Sequence, residues 1–380
     1  LGQLPPATTG FSSRRIYRST SSGAEPYLRI AEINATATTF VDDGSVTRGA
    51  TLEEFAASLR PRQDAQLSIA PGIMIKLDGA RLEVAPGGQL LAEGVDGQEV
   101  IFTSLRDVRY GSGGTFDTSS QAESRPAERG DWSGLYAYPA SSISVDYALL
   151  AHGGGISKIE GSFAGFNAIE VHQADARVAH TRFENNLDGR GGQAATDPNL
   201  ADRVGRGAND SAVLFVRGAQ PIVVSNTFLG NYDPDVANGE PAAISINVNS
   251  LNHELVSDPG RATGLVDRVA YTEDNQGPLV RHNELDQNGL NGMVVRGGTL
   301  TTEVVLDDTD MVHIVLESIV VPDFHAFGGI RLESGATESL VVKLEGDDTG
   351  IRSNGRPLEI DDRIGGMVHV VGKPRHPVVI

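Results

Sequence analysis

The sequence predicts an all-β protein whose main part is a right-handed parallel β-helix, a solenoid of short stacked strands. Forty-five glycines and 18 prolines are spread along 380 residues, which favours many short strands separated by turns. Apolar residues alternate within strand-length segments from residue 65 onwards. A motif of valine, four residues, Phe or Leu, two residues and asparagine recurs at 178–186, 223–231 and 280–288.

The recurring motif indicates how the strands should stack. In a solenoid, equivalent inward positions recur once in each layer and form columns. The asparagines suit a turn, where Asn tolerates left-handed backbone geometry and its amide can bond the neighbours above and below. The motif therefore predicts three columns: Val178, Val223 and Val280; Phe183, Phe228 and Leu285; and Asn186, Asn231 and Asn288.

Polar insertions interrupt the predicted stack. The motif copies begin at residues 178, 223 and 280, and these separations exceed the roughly 25 residues of one layer. The segments 188–210 and 250–277 are polar and rich in turn residues, and so is 232–241. We expect the insertions to project from the stack, because they lack the alternation that buries one face of a strand.

A second internal match joins two distant segments. "GGQLLAEGVDGQEVIF" at 87–102 aligns without gaps on "GGMVHVVGKPRHPVVI" at 365–380. The first copy runs on into another strand and a loop, whereas the second reaches Ile380. The end at Ile380 is therefore expected to be a joint to further β-structure.

The N-terminal residues differ from the rest. "RIYRS" and "YLRIAEI" alternate as strands do, and "TTFVDD" suggests a third strand. These segments resemble the later strands of a fibronectin type III module, so residues 1–48 are predicted to be a partial, β-sandwich-like module of that kind. Residues 49–64 are predicted to be a short helical junction, since "TLEEFAASLRP" begins with a capping Thr and ends at a proline. The β-helix is assigned to 65–380.

Charge and composition exclude several classes of function. The formal charge of −19 repels phosphate backbones and anionic lipids, so neither nucleic acid nor membrane insertion is expected. The chain has no cysteine, which excludes disulfides and thiolate zinc sites. No catalytic residue is predicted, because the sequence has no phosphate loop or hydrolase elbow.

Two groups of residues are candidate binding sites. Trp132, Tyr136 and Tyr138 alternate in "GDWSGLYAYP" and could form an aromatic platform for sugar rings. The alternative is that Trp132 covers the core where a long loop returns to the stack. Asp307, Asp308 and Asp310 in "DDTD" are candidate ligands for calcium, and a tight turn is the alternative.

Several segments together resemble a known kind of protein. "PGIMIKL", "QLLAEG", "VIFTSLRD", "GDWSGL" and "VDYALLAHGGG", with the recurring motif, are similar to right-handed parallel β-helix domains of very large bacterial surface proteins. The resemblance covers about residues 45 to 380. It implies an extracellular or cell-surface structural or adhesive protein, a rigid spacer or fibre subunit. Its partners would be copies of itself or adjacent segments of a longer chain, end to end, and cell-surface polysaccharide.

Two rival functions stay open at this point. Parallel β-helices also cleave polysaccharides as lyases or glycoside hydrolases, and a carbohydrate-binding module could use the face of Trp132. A hydrolase needs a pair of carboxylates, one acting as acid and the other as base or nucleophile. The N-x-D, G-H-G and R-x-K combination of polygalacturonase-like enzymes is absent from the sequence. The sequence thus favours the structural role.

Overall fold

A computed structural model describes residues 13–21, 24–45, 65–111, 125–159, 162–189, 209–235, 241–263, 268, 275–323, 328–355 and 366–380. The chain divides into two compact units, Leu1–Asp64 and Ala65–Ile380. The described residues form β-strands, turns, loops and one short 3-10 helix, and the second unit is built mainly from parallel sheets. The described part of the chain is therefore all-β in class, as predicted.

The first unit contains an antiparallel hairpin of β1 (Ser13–Ser21) and β2 (Ala24–Asn34). The predicted third strand at 38–43 is wrong, because these residues form a loop. Asp42 accepts a hydrogen bond from the N–H of Gly44, and Asp43 accepts one from the N–H of Ser45, which are turn interactions that compete with strand pairing. The predicted helix at 51–61 lies outside the described residues.

The second unit contains the other strands. They begin with β3 (Ala65–Ile69), β4 (Met74–Leu77), β5 (Leu82–Val84), β6 (Gly88–Glu93), β7 (Val100–Ser104), β8 (Leu135–Ala137), β9 (Ser142–Asp146), β10 (Ala148–Ala151), β11 (Ile156–Ile159), β12 (Ser162–Gly165), β13 (Ile169–His172), β14 (Asp175–Ala179), β15 (Arg182–Glu184), β16 (Ala212–Arg217) and β17 (Ile222–Val224). They continue with β18 (Thr227–Leu229), β19 (Ala242–Asn247), β20 (Leu279–Arg281), β21 (Glu284–Asp286), β22 (Leu290–Arg296), β23 (Gly298–Thr299), β24 (Val304–Leu306), β25 (His313–Val315), β26 (Ile319–Val321), β27 (Gly329–Glu333), β28 (Leu340–Leu344), β29 (Ile351–Ser353), β30 (Met367–Val371) and β31 (Val378–Val379). A 3-10 helix, Val248–Ser250, follows β19.

In most pairs of neighbouring parallel strands the two strands are three apart along the chain, and across the hairpin β11–β12 they are five apart. Sheet 1 contains β3, β6, β9, β14, β17 and β20; sheet 2 contains β4, β7, β10, β15, β18 and β21; sheet 3 contains β5, β8, β13, β16, β19, β22, β25, β28 and β31. Two shorter sheets follow, sheet 4 of β23, β26 and β29 and sheet 5 of β24, β27 and β30. We call three strands that follow one another along the chain, one from each sheet, a layer. The antiparallel hairpin β11–β12 leaves this pattern.

The predicted columns of apolar residues are confirmed. Val178 pairs with Val223, and Val223 pairs with Val280, in sheet 1. In sheet 2 the rings of Phe183 and Phe228 stack with centroids 4.6 Å apart. All of these residues belong to one buried cluster that runs through the layers, with Leu285 packed against it. The alternation of the sequence thus places one face of each sheet in a shared core.

The asparagine column is also present, but its backbone geometry differs from the prediction. The side-chain amide of Asn186 donates to Oδ1 of Asn231, and that of Asn231 donates to Oδ1 of Asn288, over 2.9 and 2.7 Å. The left-handed position is the preceding residue, since Asn185 has φ 52° and Gln287 has φ 54°. The preceding residue turns the chain, which leaves the asparagine side chain directed along the stack.

The described part of the 250–277 insertion does not project, contrary to the prediction. Val256 packs on the outer face of sheet 1 against a small apolar cluster that includes Val224. The carboxylate of Asp258 binds the guanidinium of Arg177. Arg177 is an outward residue of a sheet strand, and a charged group there needs either water or a partner. The insertion supplies that partner. Most of the 188–210 insertion lies outside the described residues.

The described residues of the two matching segments, 87–102 and 366–380, fold alike. Each is a strand, a tight turn and a second strand, and the turns are closed by the bridges Val95↔Gln98 and Lys373↔His376. Gly97 has φ 77°, and the aligned residue Arg375 has φ 70°. The second copy therefore holds a side chain in a backbone conformation that favours glycine.

These turns provide a matched pair of substitutions. Gly97→Ala is expected to lower the free energy of unfolding by about 1 kcal/mol through the left-handed backbone alone, because an added Cβ meets open space. Arg375→Gly is expected to raise it by a few tenths of a kcal/mol. Chemical denaturation measures both. Effects of the same sign would show that the backbone conformation does not control these positions.

Candidate functional site

The three predicted aromatic residues do not form an exposed platform. Trp132 is completely buried in the main core, and its indole N–H donates to the carbonyl oxygen of Ala151 over 2.7 Å. Tyr136 is also buried but lies in a separate cluster with Phe166, against which Tyr138 packs. Sugar stacking needs an exposed ring face. The predicted platform is therefore not present.

The start of strand β8 explains why the three aromatic rings do not share one exposed face. β8 begins at Leu135, which faces the main core, so Tyr136 faces the opposite side. Trp132 precedes the strand and does not share its alternation. Between them, Gly134 approaches the neighbouring layer so closely that an added Cβ would lie 2.0 Å from the carbonyl oxygen of Asn167. The prediction counted inward and outward positions from Trp132 as if it lay in the strand, and so did not take the close contact at Gly134 into account.

The predicted calcium ligands point to different partners. Oδ2 of Asp307 accepts from the backbone N–H of Gln276 over 3.2 Å. The carboxylate of Asp308 lies 3.6 Å from Nε2 of the buried His313. That of Asp310 accepts from the backbone N–H of residue 282. In the described part of the chain, no group of three or more His, Asp or Glu side chains is arranged to hold a metal ion.

A polar cluster lies on the outer face of sheet 2, which we call the Asp107 cluster: Thr103, Asp107, Arg109, His152 and Glu184. Oδ2 of Asp107 accepts from Thr103 Oγ1 over 2.6 Å and from Arg109 Nη2 over 2.8 Å. Arg109 also binds the carboxylate of Glu184. Nε2 of His152 lies 3.8 Å from Oδ2 of Asp107. The cluster joins the loop after β7 to strands of two further layers.

The electrostatics of the Asp107 cluster suit a structural link between layers better than they suit catalysis. Burial favours a raised pKa for Asp107, but hydrogen bonds from Arg109 and Thr103 outweigh it and hold the pKa at about 2. Burial lowers the pKa of His152 despite the nearby carboxylate of Asp107. A carboxyl group with so low a pKa is a poor proton donor or acceptor at neutral pH. In the sequence, this region is only the segment "TSLRDVR" after a strand. That pattern does not indicate which distant residues its charged groups contact.

The Asp107 cluster should make stability depend on pH. The folded pKa of about 2 lies below the ordinary value of 3.8, so the stabilisation is complete above pH 3.8 and is lost as the pH falls through about 2. Asp107→Asn is expected to lower the free energy of unfolding by about 2 kcal/mol at neutral pH. The difference from the parent chain should shrink as the pH falls through this window.

Denaturation curves recorded between neutral and acidic pH measure this difference. Asp235→Asn, at an exposed aspartate, is the control and should change little at any pH. A difference for Asp107→Asn that is constant over the whole range would contradict the role of the ionised carboxylate.

Two further polar groups lie on the outer faces of the other sheets. On sheet 1, Nη1 of Arg177 donates to Oδ2 of Asp146 over 2.6 Å. On sheet 3, Nε2 of His172 lies 2.9 Å from Oε2 of Glu170. All four residues are buried. The first pair joins the neighbouring strands β9 and β14, whereas the second lies within β13.

The terminal layer, which consists of β29, β30 and β31, exposes apolar side chains at positions that are buried in the preceding layer. In sheet 5, Ile330 pairs with Val368 and Leu332 pairs with Val370. Ile330 and Leu332 are buried in the main core, whereas Val368 is 40% exposed and Val370 is 54% exposed. Inward columns of the core thus reach the terminal layer and become exposed there. This uncovered layer is the candidate functional site.

The terminal layer also presents open strand edges. β30 pairs with β27, and β31 pairs with β28; within the described chain, neither has a partner on its other side. A free edge with apolar side chains readily accepts another strand.

Among the described residues there is no helix of the length and apolarity needed to cross a membrane. Comparison of the chain with known protein families, with curated proteins and with solved structures gives no match.

Proposed function

We propose that the chain is a rigid structural or adhesive element of an extracellular or cell-surface protein, joined end to end with further β-structure. In this proposal, residues 65–380 are a right-handed parallel β-helix, in which the three sheets are the walls of one solenoid. Residues before 49 belong to a fibronectin type III-like module. The element acts as a spacer or fibre subunit.

One observation carries the proposal. Val368 and Val370 continue columns whose other members, in β24 and β27, are buried in the core, and both valines are exposed in the described structure. Exposing core side chains to water costs roughly 25 cal/mol for each Å² of apolar surface. A partner that covers the layer recovers this free energy.

The internal polar interactions support a rigid element. The bonds between Asn186, Asn231 and Asn288 run along the stack and tie successive layers together. The buried pair of Arg177 and Asp258 fixes an insertion on the side of sheet 1. Buried networks whose members are satisfied restrict motion between the elements that they connect. Resistance to bending is the property that a spacer needs.

The association can be tested with one charged substitution at the terminal layer. Val370→Lys is expected to weaken self-association of the full chain by about 100-fold or more, because it places an unpaired charge against apolar surface. Val108→Lys is the control, since Val108 is 49% exposed but lies on the loop after β7. Sedimentation velocity over a range of concentrations measures the effect.

The parent chain and Val108→Lys should form larger species as the concentration rises. Val370→Lys should remain monomeric over the same range. A monomeric parent chain at all concentrations, or equal weakening by both substitutions, would contradict end-to-end association.

A further inference from the structure

We infer that the insertion on sheet 1 carries an acid-sensitive latch. Residues 256–263, which we call the strap, are held on the outer face of sheet 1 at neutral pH by the ionised carboxylate of Glu93. Protonation of that carboxylate releases the tip of the strap, residues 261–263. The inference concerns a change within one chain, so it does not depend on the end-to-end association proposed above.

The strap runs along the stack, across several strands of sheet 1. At its start, Val256 packs against the outer face of β17 and β20. In its middle, Asp258 binds Arg177 of β14. At its tip, two backbone N–H groups bind Glu93 of β6. The order of these strands in sheet 1 is β20, β17, β14, β9 and β6. The strap therefore ties together layers that are far apart along the stack.

One buried carboxylate holds the tip. Oε1 of Glu93 accepts from the N–H of Ala262 over 2.8 Å and from Ser144 Oγ over 2.6 Å. Oε2 accepts from the N–H of Thr263 over 2.7 Å and from Thr263 Oγ1 over 2.6 Å. Glu93 is only 1% exposed, so these bonds are made away from bulk water. Each carboxylate oxygen holds one backbone N–H of the strap.

Protonation of Glu93 removes the arrangement that both N–H groups need. A backbone N–H can only donate, and a protonated carboxyl group carries a hydrogen on one of its two oxygens. That oxygen is the poorer acceptor, yet it still faces a buried N–H, and a buried donor without a good acceptor costs free energy. A neutral Glu93 therefore holds the tip less firmly than the carboxylate does.

The charge of the tip acts in the same direction. Nε of Arg261 lies 4.0 Å from Oε2 of Glu93 and 3.8 Å from Oδ2 of Asp146. The side chain of Arg261 is 8% exposed, and a buried cation needs ionised partners. Its guanidinium also binds two backbone carbonyl oxygens, at residues 93 and 94, but these acceptors carry no net charge. The charged and titratable groups around Glu93, in this part of sheet 1 and in the strap, are Asp146, Arg177, His180, Asp258 and Arg261.

The pKa of Glu93 gives the pH range of the latch. Burial favours a raised pKa, but hydrogen bonds from Ser144, Thr263 and Ala262 outweigh it, so the pKa lies below its ordinary value of 4.5. The latch is therefore at full strength above pH 4.5, and it weakens as the pH falls through the lower pKa of the closed state. The tip is closed at neutral pH and opens in acid.

A glycine separates the tip from the rest of the strap. Gly260 has φ 79°, a conformation that glycine adopts without strain, and it lies between the ion pair in the middle of the strap and the tip. The start of the strap is held independently, since Val256 N–H donates to the carbonyl oxygen of Asn275 and the amide of Asn275 donates to that of Val256. Opening at Gly260 thus uncovers the buried face of sheet 1 around Glu93.

Spin labelling tests the latch in the full chain, which has no cysteine of its own. Ala262 is exposed, so Ala262→Cys carries a nitroxide on the tip and keeps the backbone N–H. Arg182→Cys carries it on β15, where the side chain is 50% exposed, and reports unfolding of the stack. Electron paramagnetic resonance spectra are recorded from neutral to acidic pH. We expect the label at residue 262 to become mobile below pH 4.5, while the label at residue 182 is unchanged.

Glu93→Gln separates the latch from other effects of acid. Glutamine has nearly the same shape but only one acceptor oxygen, so it cannot hold both N–H groups. The ratio of mobile to immobile label at residue 262 should be at least about tenfold higher than in the labelled parent chain at neutral pH, and it should change little in acid. Glu284→Gln, at an exposed glutamate of β21, is the matched control and should behave as the parent chain does.

Two results would overturn the inference. One is a label at residue 262 that is as immobile in Glu93→Gln as in the parent chain at neutral pH. The other is a label at residue 262 that becomes mobile only at the pH where the label at residue 182 does, because the strap would then leave only when the stack unfolds.

Thr263→Val reads the same latch if Glu93→Gln does not fold, as judged by thermal melting. This substitution removes one hydrogen bond that lowers the pKa of Glu93, so the tip should open at a higher pH than in the parent chain. An unchanged opening pH would overturn the inference as well.

Discussion

Replacing Arg177 by leucine is expected to lower the free energy of unfolding by about 3–5 kcal/mol, because it breaks a buried ion-pair network. The guanidinium of Arg177 binds both carboxylate oxygens of Asp258 and also binds Asp146. Arg177 and both aspartates are buried. Without the cation, two buried carboxylates lose the guanidinium that they share.

The effect extends beyond one ion pair because Asp258 belongs to the insertion that lies on sheet 1. Two residues further on, Gly260 N–H also bonds the Asp258 carboxylate. Next along the chain, the backbone N–H groups of Ala262 and Thr263 bond the buried carboxylate of Glu93. Loss of Arg177 is therefore expected to loosen this segment as well, which hydrogen exchange would detect as faster exchange at Ala262 and Thr263.

Arg182→Leu is the matched control. The side chain of Arg182 is 50% exposed and lies 3.2 Å from Glu184, whereas that of Arg177 is 6% exposed. An ion pair with an exposed cation contributes about 0–1 kcal/mol, and Glu184 keeps its bond to Arg109. Denaturation curves of the two variants give the comparison. A loss for Arg177→Leu as small as that for Arg182→Leu would show that the buried network does not hold the insertion in place.

Replacing Asn231 by alanine is expected to lower the free energy of unfolding by about 3 kcal/mol. Oδ1 of Asn231 accepts from the backbone N–H and the amide of Asn186, and its own amide donates to the carbonyl oxygen of Phe183 and to Asn288. Asn231 is completely buried. Alanine leaves the N–H of Asn186 and the carbonyl of Phe183 without these partners, in a place that water does not reach.

Asn291→Ala provides the control at the exposed end of the same ladder. Asn291 accepts from the N–H and amide of Asn288, but water can replace it there. We expect a loss of about 1 kcal/mol or less. Similar losses for both variants, measured by chemical denaturation, would mean that burial of the ladder adds nothing to its strength.

The stacking of the strands could be predicted because it depends on local rules. Strand alternation and a recurring motif define which residues face inward, and parallel pairing then aligns equivalent positions such as Val178 and Val223. The similarity of 87–102 and 365–380 also appears as the same strand–turn–strand structure. These features need no knowledge of contacts between distant segments.

The remaining features depend on contacts that the sequence pattern does not reveal. The insertion before β20 looks polar, and only the position of Arg177 on sheet 1 explains why it folds back. Trp132 looks like part of an exposed strand, but the strand begins three residues later, at Leu135. The three aspartates near 307 are adjacent in sequence, yet each meets a different neighbour. Neighbouring positions in the sequence do not by themselves bring side chains together around one metal ion.

Electron cryomicroscopy of the full chain, at concentrations where sedimentation shows association, tests the central claim most directly. The proposal of an end-to-end β-helix predicts unbranched filaments of constant width, with strands spaced about 4.8 Å apart along the filament axis. Compact particles of one size at every concentration, or strands that repeat across the axis, would contradict it.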